Sequence, residues 1–402
     1  MRGVSAGRHR TGSRDRRASY SIVFALLLSV GSSAQSPEVA AITLRRATLA
    51  SLPRRTALGA PLVRVSDDSV DFGKIAGGCL SADGAAVVLS TAPSKLLVVR
   101  ARGVPALRMM GKGGSGPGEL QQPWAISCFA QDSVAVLELA RVTVADVSDS
   151  SFRSFAIQPV LSGRWLEVIA RLANGKYLLR SRDIARALVT GTNRDTVDLL
   201  VASGLLENRP RSQLILRSAG DEFVRITHGR GVTTAIHPFG RALLIAAGDT
   251  CIYSMDTGTD ELYVRALDGR VTQRVRIQSA PRRLEGSVVR RARQRRLAAT
   301  HSTEERELAE MLHGNTSIPS VLPRFDKMVA LGTGGVLLRE FLLDGEPVAR
   351  WLELDRTLTP RAYWQLPPEL RVLAADSAGL LGLLTEGDAS VLVRMVIGPA
   401  PH

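Results

Sequence analysis

Six places along this 402-residue chain join a turn-forming pair to short apolar stretches of strand length, and this recurrence narrows the fold most. Asp83-Gly84 precedes Ala85–Ser90 and Lys95–Arg100, Asp132-Ser133 precedes Val134–Leu139 and Arg141–Val147, and Asn174-Gly175 precedes Lys176–Arg180. Gly248-Asp249 precedes Thr250–Met255 and Glu261–Leu267. Gly334-Gly335 precedes Val336–Phe341 and Val348–Asp355, and Asp376-Ser377 precedes Gly379–Thr385 and Ser390–Ile397. Asp-Gly and Asn-Gly accept φ > 0 at both centres of a type I′ turn, which joins adjacent antiparallel strands. The turns from 83 to 132, 132 to 174 and 334 to 376 are 49, 42 and 42 residues apart. The two remaining intervals, 75 and 85 residues, each hold one such unit plus an insertion.

Between the first two units runs Gly111–Leu120, Gly-Lys-Gly-Gly-Ser-Gly-Pro-Gly-Glu-Leu, with five glycines and a proline in ten positions. That composition excludes a helix or a regular strand and lets the backbone cross tightly between sheet elements. A phosphate-cradling loop would close on Lys-Ser or Lys-Thr and open a helix. Here Pro117-Gly118 leads into Glu119-Leu120-Gln121-Gln122-Pro123, which opens none. A period of about 40 to 50 residues marks a repeat architecture. Of the barrel, sandwich and propeller that short even strands allow, only the propeller gives six equal units. The expected fold is all-β: a six-bladed β-propeller with a short helical insertion.

The Gly111–Leu120 run resembles the inter-blade crossing of NHL-like six-bladed β-propellers of secreted bacterial proteins. His237-Pro238-Phe239-Gly240-Arg241 through Asp249 looks like the start of one full blade of that family. Tyr253, Asp256-Thr257-Gly258, Glu261-Leu262-Tyr263-Val264 and Leu267-Asp268-Gly269-Arg270 continue it. Pro319 to Val329, Trp351, Leu366-Pro367-Pro368 and Leu370-Arg371-Val372-Leu373 look like the next. The likeness spans residues 65–397 and departs at Ala330–Leu338, where the family's Asp-x-x-Gly-x-x-Trp stretch lacks both Asp and Trp. It implies that an enzymatic relative would build a polar site, often with calcium, in the central channel from single Asp, Asn, Glu or His residues at strand ends.

With 45% apolar residues the chain can bury one large core, and with 4% aromatics it must do so through Val, Leu, Ile and Ala. The formal charge of +14 overstates any affinity for nucleic acid. Arg2, Arg8, Arg10, Arg14, Arg16 and Arg17 against Asp15 account for +5 of it in a leader, and five lysines against 47 arginines is a skew that GC-rich coding produces. Nucleic acid is therefore not an expected partner, although a basic surface favours anionic ligands through its field. The arginines before Tyr20, the apolar Ile22–Val30 and the small Ser32-Ser33-Ala34 read as an export signal cleaved after Ala34. Ile22–Val30 is far short of the roughly 20 residues of a membrane span. A periplasmic or extracellular protein is expected, with 1–34 as signal peptide, 35–59 as linker, 60–398 as propeller and 399–402 as tail. Ser390–Ile397 leaves the last blade one strand short, and Leu62-Val63-Arg64-Val65 is expected to complete it, since an open edge is a liability.

Cys79, Cys128 and Cys251 cannot all pair. They read first as small buried side chains, with Cys79 and Cys128 placed similarly in successive units and able to bridge. His228 and His237 flank one strand start, while His301 and His313 lie in a helical segment. No two His stand at i, i+4, and no Cys-x-x-Cys, acidic calcium loop or Gly-x-Ser-x-Gly elbow is present. No catalytic, cofactor or metal residue is assigned. Leu284–His313 is expected to form two helices joined near Ala299–Ser302. Ser302 and Glu305 form a capping box, Leu308, Met311 and Leu312 the buried stripe, and Gly314 the C-cap. Arg290, Arg291, Arg293, Arg295 and Arg296 of the first helix are the candidate partner surface, since five charges cannot all be buried. The expected function is a monomeric, non-enzymatic scaffold for a protein or small-molecule ligand. A channel-centred hydrolase or lyase of the lactonase type, calcium-dependent, and a polyanion-binding propeller are the alternatives.

Overall fold

The computed structural model describes residues 41–397 apart from 65–73, 82–83, 101–105, 117, 130–132, 139–140, 157–164, 173, 184–189, 204–210, 229–230, 249, 279, 299, 301, 333, 377–378 and 387–388. The predicted leader and tail lie outside these residues. The described chain begins with β1 (Ala41–Leu44), α1 (Arg46–Ala50) and β2 (Arg54–Arg64). The first sheet follows as β3 (Ile75–Leu80), β4 (Ala86–Thr91), β5 (Ser94–Arg100) and β6 (Ala106–Met110). A crossing holding β7 (Lys112–Gly113) and β8 (Glu119–Leu120) leads to the second, β9 (Pro123–Phe129), β10 (Ser133–Glu138), β11 (Arg141–Asp146) and β12 (Phe152–Ala156). The third is β13 (Trp165–Arg171), β14 (Tyr177–Asp183), β15 (Gly191–Ser203), β16 (Arg211–His228) and β17 (Gly231–Ile236). The fourth is β18 (Leu243–Ala247), β19 (Cys251–Asp256), β20 (Glu261–Ala266) and β21 (Val271–Ile277). An insertion of β22 (Arg282–Arg283), α2 (Gly286–Ala298), α3 (Thr303–Gly314) and β23 (Val321–Leu322) comes next. The fifth sheet is β24 (Phe325–Ala330), β25 (Gly335–Glu340), β26 (Ala349–Asp355) and β27 (Pro360–Leu366). The sixth is β28 (Leu370–Asp376), β29 (Gly379–Glu386) and β30 (Ala389–Ile397).

The six sheets form a closed ring. Their first strands lie side by side in the order β3, β9, β13, β18, β24, β28, and β28 returns to β3. Each gap between neighbouring sheets is filled by its own apolar cluster, from Cys79, Val87, Val134 and Val136 between the first two to Val88, Leu97, Leu381 and Leu392 between sixth and first. The protein is a β-propeller; among the described residues its ring sheets number six when the fifth and sixth, joined edge to edge through β2, are taken separately, and β22–β23 and β7–β8 form two small ribbons besides. The second strand of each sheet is squeezed between both neighbours, so it reads as an unbroken apolar run such as Val87-Val88-Leu89 or Leu380-Leu381, where a half-exposed strand would alternate. Those runs follow the recognised turns, with Gly84, Gly175 and Gly334 at φ 84°, 76° and 83°.

The glycine-rich run is the crossing from the outer strand of the first sheet to the inner strand of the second. Gly111, Gly114 and Gly118 take φ of 76°, 146° and 74°, a region that side chains with a Cβ avoid. Glu119 staples the crossing: its carboxylate accepts from the Gly116 amide (2.7 Å) and pairs with Lys112 (2.9 Å). Cys79 of β3 and Cys128 of β9 form a disulfide between adjacent inner strands, with Cα atoms 5.5 Å apart, while Cys251 takes part in no disulfide. The bridging option is thus the one realised.

Three expectations are corrected. The excess length between Asn174-Gly175 and Gly248-Asp249 is sheet, because β15 and β16 run to 13 and 18 residues and β17 adds a fifth strand. Residues 41–56, assigned to a linker, are built in. β1 extends the fourth sheet in parallel against β21, and Arg54–Thr56 do the same to the fifth against β27. Residues 57–64 then pair antiparallel with β30 and complete the sixth sheet, as the missing-strand argument required. α3 starts on Ser302, whose side chain accepts from the Glu305 amide, but its C-cap is Asn315, with Gly314 inside the last turn. Met311 is 39% exposed; the buried stripe is Ala309 and Leu312, with Leu308 partly covered.

Candidate functional site

Four antiparallel strands bring the chain back to the face on which each sheet began, so that face gathers the crossings and the second-to-third-strand turns. The insertion opens from one such crossing. Its base closes as β22 pairs with β23 and the Leu284 amide donates to Ser320 O (3.1 Å). Its far end is fastened to the third sheet, where Leu312 packs on Val224 and Ile226 of β16. The Ser317 amide donates to Thr192 Oγ1 (2.9 Å), and His237 Nε2 lies 2.8 Å from Ser317 O. Because His237 Nδ1 accepts from the Phe239 amide (3.1 Å), Nε2 carries the proton and donates. This buried histidine is a structural clasp between the insertion and the approach to β18.

Beneath the insertion's base lies a cavity of about 910 Å³. Thr192, Asn193 and Arg194 come from β15, Phe239 and Arg241 from the approach to β18, and Thr257, Gly258 and Asp260 from the β19–β20 turn. Pro319 to Arg324, the returning end of the insertion and the start of the fifth sheet, and Glu340 of β25 complete the lining. A second cavity of about 510 Å³, lined by α1, Arg350, Tyr363 and Gln365, shares Ala280, Arg324 and Glu340 with the first. Arg324 therefore stands on the wall between two hollows.

The charges there are unequal in how they are satisfied. Glu222 is pushed up by burial, but Arg241 Nε (2.7 Å) and the Arg241 amide (2.8 Å) donate to it and hold its pKa below the usual carboxylate value. Arg194 pairs with Asp256 (2.8 Å) and Arg282 with Glu346 (2.7 Å). Arg324 Nη2 donates to Tyr363 Oη (3.1 Å) and to Glu340 Oε1 (3.4 Å). Burial, with Glu340 alongside, pushes the Tyr363 phenol up to about 12, so it stays protonated. Arg324 is only 12% exposed, and its Nε and Nη1 have no acceptor among the described residues. Asp260 faces it with its pKa raised by burial and lowered in part by the Arg324 charge, and no described residue donates to its carboxyl.

The inner strands carry a second charged group. Lys327 of β24 is depressed to about 8, first by burial and then by the Arg339 and Arg371 charges, with Asp326 opposing. Arg371 of β28 donates to Ile75 O (2.8 Å) and Ala76 O of β3 and so ties the sixth inner strand to the first. Among the described residues no cluster of three His, Cys, Asp or Glu side chains is placed to hold a metal.

The candidate partner surface lies outside this cavity. Arg290, Arg291, Arg293 and Arg295 of α2 are exposed, Arg296 is half-buried, and Arg295 pairs with Asp344 (2.7 Å). Burial and the charges of Arg296 and Arg293 lower the pKa of His313. Sequence reasoning did not reach Arg324 or Asp260. Both fall inside the stretches that resembled family blades, but they lie 64 positions apart and share no local spacing.

No family model and no curated protein matches the chain. Among solved structures it is similar to a Bacteroides vulgatus protein of the duf4221 family, at 10% identity and TM-score 0.49, covering 87% of this chain and 98% of that one. It is similar to virginiamycin B lyase from Staphylococcus aureus at 8% identity and TM-score 0.41, covering 85% and 99%. It is also similar to regucalcin, a calcium-binding protein from Agrobacterium tumefaciens, at 10% identity and TM-score 0.39, covering 86% and 97%. None reaches a TM-score of 0.5, and the reading that follows rests on this chain's own residues.

Proposed function

We propose that the chain is an exported, non-enzymatic β-propeller of NHL-like type that binds a small molecule in the cavity beneath the insertion. The observation that carries this reading is the 910 Å³ hollow itself. Its lining comes from the third, fourth and fifth sheets and from the insertion, which is fastened on one side by His237 and on the other by the β22–β23 pair. A volume of that size suits a ligand well, and a mixed lining such as Phe239, Pro319 and Leu322 beside Thr257 and Ser320 offers apolar area with a few orienting polar groups. The Cys79–Cys128 bridge supports export, because such bonds persist in oxidising compartments.

The test is a thermal-shift screen of the chain from Gln35 onward against a library of polar metabolites, repeated on Ser320→Trp, which fills the cavity from the insertion side. Ligands that raise the melting temperature should lose their effect in the variant and be recovered unchanged. Hits that persist in Ser320→Trp would move the site elsewhere. Turnover of a hit would instead favour the hydrolase or lyase reading.

A further inference from the structure

The second cavity, about 510 Å³ in volume, is lined by α1, the start of β2 and the β26–β27 pair, and its charges are strongly unbalanced. Arg46, Arg54, Arg324 and Arg350 belong to the lining, against the single carboxylate of Glu340. That carboxylate is already engaged: Oε1 accepts from Arg324 Nη2 (3.4 Å) and lies 3.2 Å from Tyr363 Oη. Arg350 approaches Oε2 only to 3.9 Å, beyond hydrogen-bond distance, and its side chain is exposed. Arg46 and Arg54 are exposed as well, and among the described residues no carboxylate pairs with either. Arginines close by in the chain or the fold are matched, since Arg55 pairs with Glu353 (3.5 Å) and Arg282 with Glu346 (2.7 Å). Three accessible guanidinium groups thus border one hollow with no carboxylate held against them. Like charges lining a concave site raise its potential and concentrate anions there.

We infer that this second cavity binds a small organic molecule carrying two or more negative charges, its carboxylate or phosphate groups resting on Arg46, Arg54 and Arg350. The planar guanidinium fork matches either group bidentately. Arg324 is not a contact here: it is buried, and its bonds to Glu340 and Tyr363 make it a brace for the wall. Gln365, half-buried and without a side-chain partner among the described residues, and the exposed Gln278 add amide donors. Leu49, Leu52 and Val348 offer apolar area to the ligand's carbon frame, and the volume suits a small molecule. Arg46 and Arg54 come from the N-terminal segment and Arg350 from β26, so the bound anion would tie that segment to the fifth sheet and stabilise the fold.

The experiment is calorimetric titration of the chain from Gln35 onward with succinate, citrate and glycerol 3-phosphate, and with acetate as a monoanion, all at matched ionic strength. At least one of the three should bind saturably and raise the melting temperature, with acetate at least tenfold weaker; a preference between the carboxylates and the phosphate ester names the group recognised. Arg46→Gln, Arg54→Gln and Arg350→Gln should each weaken that binding at least tenfold. The melting temperature without ligand should stay within error of the parent, because Arg46 and Arg54 have no ion pair to lose and Arg350 only a long one. Ser320→Trp in the neighbouring cavity, and Gln at Arg290, Arg291, Arg293, Arg295 and Arg296 of α2, should leave the affinity unchanged. Failure of all three probes would overturn the assignment. So would binding that survives in the triple Gln variant or falls equally with the α2 substitutions, since that is the general field of a basic chain. Binding lost in Ser320→Trp would put the anion in the first cavity and sink this reading while leaving the other intact.

Discussion

Glu261 in the fourth sheet accepts from Arg274 Nη2 (2.7 Å), Arg276 Nη2 (2.6 Å) and Tyr263 Oη (2.6 Å), and it is 6% exposed. The Arg274 hydrogen bond, with Tyr263 and Arg276 adding to it, outweighs burial and holds its pKa at about 2, against 4.5 for a free glutamate. A carboxyl whose folded pKa is depressed stabilises the fold above its unfolded value and loses that contribution as pH falls through the folded one. Glu261→Gln should therefore cost about 2 kcal/mol at neutral pH, measured by denaturant unfolding. The gap to the parent should close as pH falls from 4.5 towards about 2. A gap that does not change with pH would mean that packing, not charge, fixes this position. Neither Glu261 nor Arg324 can be read from sequence as more than surface charge. In a ring of sheets, polar partners meet across strands and across units, and no local spacing records that. His237 shows the same limit, because its role depends on Ser317, 80 residues away.

At the scale of elements, legibility followed burial. The second strand of each sheet is covered on both sides and flanked by a tight turn, so its apolar run and its turn stand out together, and the observed bounds fall within one residue of those expected except in β14, which runs three residues further, to Asp183. α3 was readable for a different reason: Ser302 and Glu305 are neighbours in sequence, so the cap is a local signal. The long β15–β16 hairpin was not, because β16 mixes polar with apolar residues along its length, as in Arg211-Ser212-Gln213 and Asp221-Glu222. α2 is the polar extreme. It buries no residue, and among the described residues the one ion pair of its five clustered arginines is Arg295 with Asp344, both well exposed. Exposed pairs of this kind are worth about 0 to 1 kcal/mol. Changing Arg290, Arg291, Arg293, Arg295 and Arg296 to Gln should leave the melting temperature and any ligand binding in the cavity within error of the parent. A fall in stability of several degrees would show that α2 holds the insertion over the cavity. Loss of a co-purifying acidic partner at unchanged stability would make the helix a docking surface.

At the scale of the whole molecule, the ring is secured differently around its circumference. The first and second sheets are joined covalently by Cys79–Cys128, and the third is clasped by the insertion through Leu312 and His237. The fourth, fifth and sixth share one N-terminal strap, β1 on β21, then Arg54–Thr56 on β27, then 57–64 on β30. The strap's two parts should contribute unequally. Residues 57–64 are the missing outer strand of the sixth sheet, and without them β30 presents a row of unpaired amides and carbonyls, an invitation to aggregation. Residues 41–56 add to sheets that already have four strands, and their main apolar contribution is Leu44 and Leu49, each 5% exposed and packed with Met255, Val275 and Phe325. Burying two leucines is worth roughly 3 to 5 kcal/mol at most. A chain beginning at Ala57 should thus fold, stay monodisperse and melt several degrees below one beginning at Gln35. A chain beginning at Ser66 should lose cooperative unfolding or aggregate during purification. Differential scanning calorimetry with light scattering on the three chains separates these outcomes. Equal melting temperatures for the first two would reduce the strap to its last eight residues, and a cooperative, soluble chain from Ser66 would show that the ring closes without an N-terminal strand.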